Sequence, residues 1–146
     1  MQTEIIKNRL GKLLSNTQPE FGIMTAQHMI EHLILTIKLS YGRVTIPDFE
    51  PDEKQLAQKN ALINSDMLFP KGIKAPGLPD QLMDLKYPNL DTAIEQLLKS
   101  ISEYHRTFNE DKSLTTTHPR FGKLTYDEWE KFHSKHFEHH FGQFGI

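Results

Sequence analysis

Four of the eight histidines in this 146-residue chain fall within Thr125 to Gln143, TYDEWEKFHSKHFEHHFGQ. At about 100° per residue, Trp129, Phe132, His133, His136, His140 and Gln143 project onto one stripe of a helix. His136 and His140 stand four residues apart, so both rings can turn toward one point. Imidazoles on a stripe that would otherwise be filled by leucines call for a chemical reason. The spacing fits a divalent metal, with His136 and His140 as a chelating pair on one helix.

A second pair with the same spacing, His28 and His32, lies in Met24-Thr-Ala-Gln-His-Met-Ile-Glu-His-Leu33. A third ligand from this helix would complete a three-histidine set and leave one coordination position open, the arrangement of catalytic rather than structural sites. His32 is the best third ligand, since it shares a stripe with Leu35 and Leu39. His28 is its rival, as a replacement or as a fourth ligand. A single histidine on an apolar face is more often a hydrogen-bonded core residue, but three at chelating spacings on two buried helices are harder to read that way. The packing-only alternative makes His136→Leu neutral or stabilising, with no metal bound. His133 reads as a pocket-lining or supporting side chain, His139 as a solvated residue or one at the bundle edge, and His105 and His118 as structural, with His118 fixing the turn before Pro119. Phe137 follows His136, so the HExxH motif and its built-in general base are absent. His133 and His28 are the side chains in reach of a base's position. The interleaved Phe132, Phe137 and Phe141 distinguish the cluster from an expression tag.

The elements that must position these residues are helices. Thr125 is an N-cap with Glu128 completing a capping box, and Leu124 can staple onto Trp129. Thr25 and Gly42 bracket a second helix, Thr25 to Tyr41, whose apolar residues cover most of its circumference. Thr3 to Ser15 forms a first helix around Ile6, Leu10, Leu13 and Leu14. Asn89 caps a long helix that runs to Phe108. Asp52 to Ile63 forms a shorter one. Pro47, Pro51, Pro70, Pro76, Pro79 and Pro88 gather in residues 43–88, and Phe69 to Pro79 reads as a long crossover loop. Asn109 to Leu124 reads as loop, and no alternating strand of five or more residues appears. The expected fold is all-α: four main helices with a long connection that carries the shorter helix.

Length and composition bound the rest. The chain is of single-domain length, 1–146, and can bury roughly two thirds of its unfolded surface. A net charge of −2 with 25% charged residues offers no basic face for nucleic acid. The absence of cysteine removes disulfides and thiolate ligands. No signal-peptide core and no apolar run near 18 residues appears, so the expectation is a cytoplasmic protein without a membrane partner.

The block His136-Phe-Glu-His-His140-Phe-Gly-Gln143, the string Met24 to Leu33, and the run His118-Pro-Arg-Phe-Gly-Lys-Leu-Thr-Tyr-Asp-Glu-Trp129 together resemble the DinB/YfiT-like superfamily, in a bacterial subfamily of unknown function. Phe141 departs from the arginine often found there. The resemblance implies a four-helix bundle with one long crossover, a divalent metal on His32, His136 and His140, homodimers, and in some relatives a transferase reaction that uses a low-molecular-weight thiol. Imidazole ligands suit Zn, Ni or Fe. The functional expectation is Lewis-acid activation at the open position, acting on a small-molecule substrate. A metal-dependent hydrolase and a non-catalytic metal-stabilised binding protein are the alternatives.

Overall fold

A computed structural model describes residues 1–71 and 81–146. The described residues are mostly helical, with five helices and one two-stranded antiparallel sheet among them: α1 Thr3–Leu10, α2 Ala26–Ser40, α3 Glu53–Ile63, α4 Leu90–Glu110, β1 Thr116–His118, β2 Gly122–Leu124 and α5 Tyr126–Gln143. α2 packs against α4 and α5, α1 against α4, and α3 against α5.

The caps explain where the long helices start. The hydroxyls of Thr25 and Thr125 accept from the N–H groups of His28 and Glu128, and the Asn89 side chain accepts from Thr92. Each satisfies one N–H that the helix leaves without a partner. The expected capping box at Thr125 is only half formed. Glu128 does not reach back to the Thr125 N–H; its carboxylate instead takes the Thr125 hydroxyl and pairs with Lys59. A complete capping box occurs at α3, between Asp52 and Gln55.

α2 ends as its sequence implies, with Gly42 at φ +79° just beyond it. Nine of its fifteen residues are buried, so it forms the centre of the core. α4 presents a narrower stripe of Leu90, Ala93, Leu97, Ile101, Tyr104 and Phe108. Trp129 of α5 and Tyr104 of α4 are both fully buried.

Two expectations about the elements need correction. α1 stops at Leu10 rather than Ser15. Gly11 is a poor helix former, and the N–H groups of Lys12 and Leu13 turn back tightly onto the carbonyls of Arg9 and Leu10. Leu13 remains buried, but Leu14 is 62% exposed and lies outside the core. Residues 109–124 are not all loop, because β1 and β2 pair with Thr116 opposite Leu124 and His118 opposite Gly122. Three-residue strands carry no five-residue alternation, so the pattern that marks longer strands was not there to read. The central part of the crossover, residues 72–80, lies outside the described residues.

The hairpin is held from both sides. Thr116 Oγ1 donates to the Ser40 carbonyl at the end of α2 and accepts from Trp129 Nε1 of α5, each at 2.8 Å. Gly122, at φ +72°, is pressed so close to Pro51 that a Cβ there would stand 2.7 Å from its ring. No described helix is long and apolar enough to cross a membrane.

Candidate metal centre

α2 and α5 bring His32, His136 and His140 together. One ring nitrogen of each lies within 4.8 Å of those of the other two. The Nε2 atoms of His32 and His136 are 2.9 Å apart, and those of His136 and His140 are 3.1 Å apart. The ring planes meet edge to face, at 79° for His32 and His136, 71° for His136 and His140, and 70° for His32 and His140. His136 and His140 are buried, while His32 is partly open to solvent.

The proton inventory of this cluster is constrained. Gln143, one turn beyond His140, donates its amide to the Phe21 carbonyl at 2.8 Å. Its Oε1 therefore faces His140 Nδ1, also at 2.8 Å, and can only accept. His140 Nδ1 thus carries the proton, and its Nε2 presents a lone pair to the cluster. His136 has one proton at most to offer from Nε2, and that proton cannot lie along both lines at once. At least one of the two short contacts is therefore left without a hydrogen bond. A second proton is disfavoured. Burial pushes His32 down to about 4, with His139 adding, and pushes His140 down to about 3, with His32 adding. Burial first, then His140 and His32, hold His136 well below the usual imidazole value. A cation held among the three nitrogens would relieve the crowded contact. Imidazole nitrogens about 2.1 Å from one ion stand about 3.0 Å apart at a right angle and about 3.4 Å apart at a tetrahedral one. The two short separations match the first figure.

The other histidines separate from this set. His28 has both nitrogens engaged, Nδ1 with the Thr25 hydroxyl at 2.6 Å and Nε2 with the Met83 carbonyl at 2.9 Å. His133 is fully buried, stacked on Trp129 at 5.3 Å and edge-on to Tyr104 at 5.4 Å. Among the described residues, neither of its nitrogens, nor His136 Nδ1, has a hydrogen-bond partner. Burial pushes His133 down to about 3. With His28 engaged and His133 sealed in, neither stands ready as a general base. His118 Nδ1 accepts from the N–H groups of Arg120 and Phe121, fixing the turn as its sequence suggests. His105 lies 3.4 Å from the Thr3 hydroxyl. His139 is half-buried against Phe21 and Phe69 rather than solvated, with ring centroids at 5.4 and 6.0 Å.

Supporting residues come from distant segments that the sequence did not single out. Gly22, at φ +81°, lies where a Cβ would approach Gln143 Nε2 to 2.8 Å, so the close approach that orients Gln143 needs a residue without one. Lys135 Nζ donates to the carbonyls of Leu62, Ser65 and Met67, which holds the chain beyond α3 against α5. This brings Phe69 within 5.8 Å of His136 and 5.4 Å of Phe132. On the other side, the Glu31 carboxylate accepts from the N–H groups of Lys86 and Tyr87. The residues directly before two of the three histidines thus fasten the two described ends of the crossover. Gln143 was visible as part of the His140 stripe, three residues on, but Phe21 was not. Two surface clefts, one lined by Thr45, Asp48, Thr116 and Lys123 and one by Phe49, Pro51, Lys59 and Phe121, contain none of these histidines.

Comparison with known proteins corrects the resemblance drawn from the motifs. A family model for a protein of unknown function, DUF1569, matches residues 56–145, and no DinB/YfiT-like family matches. The matched span includes His136, His140 and Gln143 and stops short of His32. Expectations that rested on the DinB/YfiT likeness alone, a homodimer and a thiol cosubstrate, lose that support. No curated protein and no solved structure matches the chain. The family model covers more than half of the sequence, and the chain belongs to the DUF1569 family of proteins of unknown function.

Proposed function

We propose that this chain is a single domain that binds one divalent metal through His32, His136 and His140 and uses it to activate a small molecule. The observation that carries this reading is the meeting of three Nε2 atoms with too few protons to satisfy their contacts. The Phe21–Gln143–His140 chain supports it, because a hydrogen bond to the far nitrogen of a ligand fixes its tautomer and orientation. We also read α1, α2, α4 and α5 as a four-helix bundle with α3 in its crossover, an architecture that builds metal sites from side chains on facing helices.

An enzyme is favoured over a metal-stabilised binding module by His28. The natural fourth ligand is occupied by Thr25 and Met83, which leaves three neutral ligands and an open position. At that position the ion would act as a Lewis acid on a bound water or substrate oxygen. Zinc, nickel and iron all suit imidazole.

Metal analysis of untagged protein purified without a nickel column tests the reading. About one ion per chain is expected in the wild type, falling to background in His32→Ala and His140→Ala. Wild-type protein that stays empty when offered zinc, nickel and ferrous iron under reducing conditions would overturn it.

A further inference from the structure

The surroundings of the three imidazoles narrow the substrate class, on the footing that the metal reading holds. Neutral ligands leave a divalent ion with its full charge. Among the described residues, the side chains that perturb His32, His136 and His140 are other imidazoles and the Gln143 amide, with no carboxylate among them. The nearest acidic residue in sequence, Glu31, spends its carboxylate on the backbone of Lys86 and Tyr87.

The rim is aromatic and carries one cation among the described residues, Lys71. His139 lies 5.0 Å from His140, between Phe21 and Phe69. Lys71 Nζ stands 5.2 Å from the centre of the Phe21 ring. Phe21 and Phe69 are only half-buried, so each leaves apolar surface uncovered. The apolar character continues along the chain on either side, with Ile23 63% exposed, Leu68 73% and Met83 47%.

We propose that the open position takes an anionic oxygen head group, a carboxylate or a phosphate monoester, whose apolar body rests on Phe21 and Phe69 and whose charge is shared between the metal and Lys71. The double charge supplies affinity for the head group and Lys71 adds to it. Each methylene laid on the apolar wall tightens binding roughly two- to fourfold.

Cobalt(II)-loaded protein tests this, because its visible spectrum changes when the open position is filled. Titrations with hexanoate and hexyl phosphate are compared with acetate, inorganic phosphate, hexanol and hexylammonium. Saturation by the six-carbon anions is expected at concentrations at least tenfold below those of acetate and inorganic phosphate, with no response to hexanol or hexylammonium. The tighter of the two six-carbon anions identifies the head group. Lys71→Gln should weaken both about three- to tenfold without changing cobalt affinity, and Phe69→Ala should shrink the advantage of the longer chain. A response to hexanol equal to that of hexanoate would overturn the proposal while leaving the metal site standing. So would equal binding of acetate and hexanoate, or an unaffected Lys71→Gln. A chain that takes up no cobalt sinks the metal reading and this one with it.

Discussion

Replacing Gln143 with leucine separates the orientation of a ligand from the packing of a helix end. Gln143 is 5% exposed and joins the Phe21 carbonyl to His140 Nδ1 through two bonds of 2.8 Å. In the metal-free protein the substitution strands the Nδ1 proton of His140, or drives it to Nε2, at a cost of up to about 3 kcal/mol. The Phe21 carbonyl can turn to water, since Phe21 is half-exposed. Metal binding then needs Nε2 cleared again with nothing left to hold the proton on Nδ1. Loss of such a partner lowers metal affinity by about 10–100-fold, equivalent to about 1.4–2.7 kcal/mol. Stability measured by denaturant unfolding with and without zinc, beside a zinc Kd from competition with a chromophoric chelator, separates the two effects. The loaded variant should lose more stability than the metal-free one, by the amount the Kd predicts. If the variant unfolds more easily but its zinc Kd stays within threefold of the wild type, Gln143 serves the packing alone and the orienting argument is refuted.

Three further outcomes follow from the same geometry. His136→Leu removes a buried ring with an unpartnered nitrogen and two crowded contacts, so the metal-free stability should hold or rise by about 1–2 kcal/mol. Zinc should no longer raise its melting temperature, and a zinc-dependent rise that persists would count against the site. Acid should unfold the metal-free protein early. His32, His118, His133, His136 and His140 are all held below the usual imidazole value by burial, so the folded state binds fewer protons than the unfolded one. Their contribution is fully present above about pH 6.5 and is lost as pH falls toward about 3–4. With an unfolded value near 6.5, each loses about 1.4 kcal/mol by pH 5.5, or about 7 kcal/mol together, comparable with the whole stability of a small domain. Circular dichroism should therefore show unfolding between about pH 5 and 6, and a midpoint below pH 4 would contradict the burial of neutral imidazoles. Lys135→Met should free the chain around residues 62–69. Hydrogen exchange there should quicken by about 10-fold or more while α4 stays protected, and unchanged exchange would show that the three carbonyls do not need the ammonium.

Local chemistry made much of this fold legible. Thr25, Asn89 and Thr125 announced the starts of α2, α4 and α5 because a capping side chain acts on backbone two or three residues away. What stayed hidden depends on distant partners. α1 looked longer than it is because Leu13 and Leu14 continue its apolar spacing, yet Gly11 and the tight turns beyond it end the helix. The hairpin escaped because its short strands are stabilised by Ser40, Pro51 and Trp129 rather than by an alternation of their own. Glu128 looked committed to its own cap, but Lys59 of α3 claims it.

The choice between His28 and His32 shows where sequence reasoning about the site stops. Both sit on the same stripe of α2, and spacing alone favours neither strongly. Their difference arises fifty-five residues away, where the Met83 carbonyl meets His28 Nε2 at 2.9 Å and the Thr25 hydroxyl takes the other nitrogen. Engaging His28 ties α2 to the chain near Met83 and keeps a fourth imidazole off the cluster, so under the proposed function one contact would serve both the fold and the open position. If His28→Leu tightened zinc binding and closed the position to added anions, His28 would be competing for the metal in solution, and the three-ligand site would be one of two states rather than the resting one.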